Sequence, residues 1–423
     1  MIVILKQNGL KKVEIPMNNI GFKHHSIPVL AEADGIVLSE EQQKAVDAVI
    51  EFIEDSPKKY FVVSGFAGTG KSAVIPFIRE NMHGDSAVVA YTGKAVVVLK
   101  RRGIDNAQTI HSFLYYTKIV KDEKTQKLHY EFHKKYESDF DGIKCVFVDE
   151  SSMVDKNVFD ELTSHDFKVV FFGDSFQLPP VKDDFNIMEN PDIQLTQIVR
   201  QNADNPIIKL SLLARTQQKI PFGIYGESSK KPMFKFNVGD YADYDQIICW
   251  TNRKRKEVNE TIRSIKGYEP LKVYPNEKMI VKHNYPSLGL YNGQMVYNLK
   301  QAEAKKLKKF DTIYDMKVVD EIAVNDIIAA CDYIPLDVSG TIGWDAEMIF
   351  NYNITKSGEK SNKRLIHMDY GYAITCHASQ GSSWRKICII EEDGIKKRPE
   401  YWRWIYTAIT RAEQNVTIFS SGV

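Results

Sequence analysis

Lys71 and Ser72 close the run Gly65-Phe66-Ala67-Gly68-Thr69-Gly70-Lys71-Ser72, the G-x-x-x-x-G-K-[ST] spacing of a loop that wraps phosphates. The expected chemistry is nucleotide binding. Backbone N–H groups of Gly65, Ala67, Gly68, Thr69 and Gly70 turn inward, and a following helix N-terminus adds partial positive charge. Lys71 reaches the terminal phosphates and the Ser72 hydroxyl holds Mg²⁺. ATP and Mg²⁺ are therefore the expected cofactors. A second pair, Asp149-Glu150, supplies what such a site still needs: Asp149 to hold Mg²⁺ through water, and Glu150 to orient or deprotonate the attacking water. An Asp-Glu pair alone is usually a solvated turn; downstream of a phosphate loop it reads as catalytic. Gln177 is the third candidate, a neutral side chain aimed at the γ-phosphate and able to report its loss.

These groups need strands that end at one edge of a sheet. The runs 61–63, 145–148 and 169–172 are apolar and rich in Val and Phe, and each breaks into polar residues, as strands of an open α/β sheet do where ligands bind. Residues 87–91 run similarly into Thr92-Gly93-Lys94-Ala95, and Gln108-Thr109-Ile110-His111 follows. Upstream, Ser39 and Gln42 form a capping box, and Ala45, Val46, Val49, Ile50 and Ile53 recur at helical spacing. One helix ahead of the phosphate loop, Gln42 is also placed for the two-faced hydrogen bond of adenine's edge. Pro76 is expected to bend the first turns of the helix after the loop.

The 423 residues, 43% hydrophobic and 26% charged, fit two to four folding units of ~100–200 residues each. A net charge of +1 means that any polyanion is met by a local groove rather than the whole surface. The five cysteines are scattered, without a C-x-x-C pair, so neither a disulfide framework nor a zinc site is suggested. No signal or membrane-spanning run is evident, and a cytoplasmic location with no membrane partner is expected.

Residues 1–37 read as an extension of unknown role. Residues 114–120 and 127–133 are β-capable runs around a polar turn at 122–125, a hairpin inserted within 114–140, with Tyr130 and Phe132 on one face of its second strand. From 268 to 365 short β-patterned runs alternate with turn signals. The basic run Arg253-Lys254-Arg255-Lys256 at a strand end is suited to phosphates, or simply opens a solvated helix.

The blocks at 65–72, 92–95, 149–152 and 173–180, with Gly173-Asp174 ahead of Gln177-Leu178-Pro179-Pro180, together with 372–383 and 404–412, resemble superfamily 1 helicases. The Leu-Pro-Pro and Thr-Gly-Lys-Ala versions look like the RecD/Dda-like 1B branch. The likeness covers most of 38–423 except much of 270–365. It implies two RecA-like parallel-sheet domains, 38–194 and 195–267 joined with 366–423, with nucleotide between them and an SH3-like β-rich insert at 268–365. Residues 301–309, rich in Lys and Ala, look like a helical excursion from that pattern. The resemblance assigns Arg200 to face the nucleotide, Gly381 to approach it, and Arg411, at a helix start, as arginine finger. It places Thr92, His111, Thr375 and His377 along a single strand; on the hairpin's own alternation, Tyr130 and Phe132 either pack beneath the loop or one of them stacks on an exposed base at a separation wedge. Where many relatives carry an acid after the Gln380-Gly381 turn, this chain has Ser383-Trp384-Arg385-Lys386.

The function implied is ATP-dependent DNA unwinding with 5′ to 3′ movement. Single-stranded DNA and a DNA fork are the expected partners, replication or recombination proteins possible ones, and a monomer the expected state. The alternative is a phosphate-loop ATPase working as a protein-remodelling switch, which explains the loop and Asp149-Glu150 but not a second domain ending in Arg411.

Overall fold

The computed structural model describes residues 38–121, 128–180, 185–198, 205–269, 272–282, 292–298, 302–303, 305–306, 312–316, 318–320, 334–337 and 368–421. Expectations for residues 1–37, the turn at 122–125 and Arg200 lie outside the described residues.

Helix α1 (Glu40–Asp55) opens on the Ser39/Gln42 capping box and buries Ala45, Val46, Val49, Phe52 and Ile53. Strand β1 (Tyr60–Gly65) leads through the phosphate loop into a 3₁₀ turn at Lys71–Ala73 and then α2 (Val74–Asn81). Pro76 falls in the first turn of α2, where its missing N–H has no intrahelical partner to lose. There follow β2 (Asp85–Ala90), α3 (Gly93–Arg101), β3 (Gln108–Thr109), α4 (Ile110–Leu114), β4 (Tyr115–Lys121), β5 (Leu128–Lys134), β6 (Ile143–Asp149), α5 (Lys156–Ser164), β7 (Lys168–Gly173) and β8 (Ile193–Leu195).

Six of these strands form one parallel sheet in the order β3-β2-β6-β7-β1-β8. Its strands read as unbroken apolar runs because both faces are covered. Val63, Val88, Phe147, Val170 and Phe172 pack on the face of α1, while Val62, Val89, Val146, Val148 and Phe171 pack on the other. Strands β4 and β5 stand outside the sheet as an antiparallel pair, in register from Tyr115 opposite Lys134 to Lys121 opposite Leu128.

The second half contains α6 (Pro206–Arg215), β9 (Gly223–Tyr225), β10 (Ser228–Pro232), β11 (Gln246–Cys249) and α7 (Asn252–Ile265). Next come β12 (Lys272–Val273), β13 (Lys278–Val281), β14 (Met295–Asn298), β15 (Ala302–Glu303), β16 (Lys305–Lys306), β17 (Thr312–Met316), β18 (Val318–Asp320) and β19 (Ile334–Asp337). The chain continues with β20 (Met368–Tyr370), β21 (Ala373–Thr375), α8 (Cys376–Ser379), β22 (Trp384–Glu391), α9 (Asp393–Lys396), α10 (Tyr401–Ile409) and β23 (Ala412–Ser420). The second sheet runs β21-β11-β22-β23-β10-β9 and is parallel except for β9, which pairs antiparallel with β10. Between its strands, β18-β14-β13-β20 make an antiparallel sheet whose Met279, Val281, Val296 and Met368 share a core with α7.

Two expectations are corrected. The described residues of 301–309 are strand, β15 against β12 and β16 against β17, since pairing with neighbours overrides the helix preference of Lys and Ala. Arg411 does not open a helix: α10 ends at Ile409, and Arg411 lies in the turn into β23. The basic run at 253–256 is divided, because Arg255 is buried against Asp369 at 2.6 Å and Lys254 pairs with Glu257. Among the described residues no helix is long and apolar enough to cross a membrane.

Candidate nucleotide and strand site

The phosphate loop takes its shape from backbone that only glycine adopts cheaply. Gly68 and Gly70 have φ of 84° and 78°, and a Cβ on Gly65 would sit 2.6 Å from Thr69 Oγ1. The loop is internally satisfied: Lys71 Nζ donates to the Phe66 carbonyl at 3.0 Å, and Gln42 Nε2 donates to the Thr69 carbonyl at 3.0 Å. The other end of the Gln42 amide, Oε1, accepts from Ser39 N–H, so this residue ties the α1 cap to the loop.

Ser72 Oγ lies 3.0 and 2.9 Å from the two oxygens of Asp149, at the end of β6. A hydroxyl and a carboxylate converging beside a phosphate loop are hard oxygen donors of the kind Mg²⁺ takes, so the residues fit that ion. Glu150 follows in left-handed backbone, φ 55°, a conformation that costs a non-glycine residue of order 1–3 kcal/mol. Burial raises its carboxyl above the usual range, with Arg411 and Lys71 pulling it down and Asp149 and Asp174 pushing it up. A raised carboxyl beside the phosphate loop is suited to accept a proton from water. Gln177 is 4% exposed, and its buried Oε1 has no hydrogen-bond partner among the described residues, an acceptor left open at the site.

The second half of the chain meets this site through α10. Tyr406 donates its hydroxyl to Asp174 at 2.7 Å and accepts the Ala67 N–H of the phosphate loop at 3.1 Å. Thr407 Oγ1 accepts from Leu178 N–H at 3.0 Å, and Arg403 donates to the carbonyls of Ser175 and Gln177 at 2.8 and 3.3 Å. The loop carrying Gln177 is thus clamped by one helix face. Arg411 is 5% exposed and donates to the Thr407 and Ser382 carbonyls and to Thr410 Oγ1. Gln380 Nε2 donates to the Leu178 carbonyl at 3.0 Å. Gly381, expected near the nucleotide, sits against Thr92: a Cβ there would lie 2.8 Å from Thr92 Oγ1.

Two family models match this chain, one described as an AAA domain over residues 37–229 and one as a UvrD-like helicase C-terminal domain over residues 370–419. The ATP-dependent RecD2 DNA helicase of Deinococcus radiodurans is 26% identical over 405 residues, 91% of this chain and 49% of that protein. ATP-dependent DNA helicase Dda of Enterobacteria phage T4 is 28% identical over 256 residues, 53% of this chain and 56% of the phage protein. Together these matches support a superfamily 1B helicase. The chain spans about half the length of these two relatives. Its fold is like that of the Pif1 helicase from Bacteroides in complex with ADP-AlF3 and ssDNA, 18% identical with a TM-score of 0.54 over 90% of this chain and 92% of that one. The parallel sheets and this likeness support a RecA-like helicase fold, and the named curated relatives are ATP-dependent DNA helicases.

The candidates for contact with a nucleic-acid strand fall in two groups. Thr92 and Thr375 cap α3 and α8 at the ends of β2 and β21, their hydroxyls accepting from Ala95 and Ala378 N–H. His377 lies in α8, where burial lowers its pKa and keeps the ring neutral at pH 7. His111 and Phe132 meet at the root of the hairpin, ring centroids 6.4 Å apart, with Phe132 57% exposed. Tyr130 is placed opposite Ile119 in the β4–β5 pair. Arg403, Tyr406 and Thr407 were missed from sequence. Their recurrence at helical spacing just ahead of Arg411 was the available signal.

Proposed function

We propose that the chain is an ATP-driven motor that moves 5′ to 3′ along single-stranded DNA and opens duplex at a fork. The observation that carries this reading is the meeting of Ala67 and Tyr406: the phosphate loop and the helix ahead of Arg411 come from different sheets, so nucleotide between them acts on both.

In this reading Gly65, Ala67, Gly68, Thr69 and Gly70 cradle the phosphates, and Lys71 neutralises them. Ser72 and Asp149 hold Mg²⁺, Glu150 takes the proton of the attacking water, and Gln177 orients that water. Arg200 and Arg411 stabilise charge as the bond to the γ-phosphate breaks. Gln42 braces the loop and offers its remaining amide N–H to adenine, with Gly381 near the same cleft. Thr92, His111, Thr375 and His377 line the strand groove and read backbone rather than bases, while Tyr130 or Phe132 stacks on a base at the hairpin. Residues 38–194 form the first motor domain, 195–267 with 366–423 the second, and 268–365 an SH3-like insert. The active form is a monomer.

The test is ATP turnover with and without single-stranded DNA, followed by unwinding of duplexes with a 5′ or a 3′ tail. Strong stimulation and opening of the 5′-tailed substrate are expected. Turnover indifferent to DNA would overturn the motor, and preference for a 3′ tail would overturn the polarity.

A further inference from the structure

Two consecutive residues of the phosphate loop are held from the other sheet. The Arg215 guanidinium of α6 lies 3.6 Å from the ring centre of Phe66, and the Tyr406 hydroxyl of α10 accepts the Ala67 N–H at 3.1 Å. Tyr406 is 1% exposed, its ring set edge-on to Phe176 at 5.2 Å, so the hydroxyl has no solvent to turn to. It is instead fixed by Asp174, itself 1% exposed, to which it donates at 2.7 Å. Donating to one group and accepting from the other uses the hydroxyl in the one orientation that satisfies both. Burial and the Asp174 carboxylate hold its pKa well above the ordinary tyrosine value, so the donated proton stays on oxygen throughout the physiological range.

The Ala67 N–H is one of the donors that a phosphate-wrapping loop turns toward its anion. A single N–H does not serve a tyrosine oxygen and a phosphate oxygen equally well, and the charged acceptor makes the stronger bond.

We propose that Tyr406 is a positioning residue whose hydroxyl acts as a phosphate-displaced latch: it holds the Ala67 N–H until a nucleotide phosphate takes that donor. The contact between phosphate loop and α10 is released while the Asp174 bond is retained. Phosphate arrival is thus converted into a change at the junction of the two sheets. The same α10 face carries Arg403 and Thr407, which hold the backbone of the Gln177 loop, so release at Tyr406 is felt where the γ-phosphate is sensed.

The inference rests on residues 65–72 being the nucleotide phosphate site, and the test separates the two. ADP and adenosine binding are measured by calorimetry on the full chain as wild type, Tyr406→Phe and Lys71→Ala. The phenylalanine keeps the ring and removes the competing acceptor; the bond to Asp174 is lost from the nucleotide-free and the bound state alike, so it drops out of the difference between them. ADP is therefore expected to bind Tyr406→Phe about threefold to tenfold more tightly, the span of one ordinary hydrogen bond, with adenosine unchanged. Lys71→Ala is expected to weaken ADP. If it does not, the phosphate-site reading fails whatever Tyr406 does. If it does while Tyr406→Phe leaves ADP unchanged, weaker, or tightened in step with adenosine, the latch alone fails. A second measurement needs no variant: amide hydrogen exchange in the nucleotide-free wild type is expected to find the Ala67 N–H protected, and exchange at the rate of an open loop overturns the latch.

Discussion

The side-chain amide of Gln42 stands 3.0 Å from the carbonyl oxygen of Thr69, and the same nitrogen would lie 2.3 Å from a Cβ placed on Gly70. A helix cap and a phosphate loop are thus built around one glutamine. Truncation to alanine strands the buried Thr69 carbonyl at a cost of about 1–3 kcal/mol. Gln42→Ala is expected to lower affinity for ATP and for inorganic tripolyphosphate together, read by competition with a fluorescent nucleotide. Weakened ATP with unchanged tripolyphosphate would assign Gln42 to the base alone.

Arg411 is held by two carbonyls and a hydroxyl of its own half of the chain, which presents the guanidinium in a fixed orientation where its charge acts on Glu150. Arg411→Ala is expected to bind ADP nearly normally while turning over ATP ~10³-fold or more slowly, as loss of a transition-state contact does. Single-turnover hydrolysis at saturating ATP decides it, since normal turnover with poor binding would remove Arg411 from the chemical step.

The raised carboxyl of Glu150 makes a pH prediction for stability as well as for rate. Below the ordinary glutamate pKa, folded and unfolded chains both carry the proton and nothing is lost. As pH rises the unfolded chain releases its proton first, so stability falls until the folded carboxyl has titrated too. Glu150→Gln, which is neutral throughout, is therefore expected to melt above wild type at neutral pH and level with it near pH 4. ATP turnover by the wild type should fall on the acid side with a midpoint above the usual carboxylate range. Equal melting curves at pH 7 would mean the buried charge is fully compensated.

Strands β4 and β5 pair outside the first sheet, and Phe132 is exposed beside His111 where they leave it. A two-stranded hairpin is marginal alone, so its persistence depends on that root. Replacing residues 118–132 by a short Gly-Ser turn is expected to leave DNA-stimulated ATP turnover within a few-fold of wild type and to abolish unwinding. Both rates come from one preparation, and surviving unwinding would place strand separation elsewhere.

What the sequence by itself determined is what neighbours along the chain decide. The strands at 61–63, 145–148 and 169–172 are legible because residues buried on both faces leave an unbroken apolar run, and the α1 start because a capping box is complete within four residues. The tertiary structure decided whatever depends on groups far apart in sequence. It engaged Gln42 with Thr69, set Gly381 on Thr92, and withdrew Arg255 into an ion pair with Asp369. It made residues 302–303 and 305–306 strand despite their helix preference, because their partners lie on other segments. Tyr406 is the clearest case. Within its helix it is one more buried aromatic, and only the arrival of Ala67 and Asp174, both more than 200 residues away, gives its hydroxyl two partners and a chemical role.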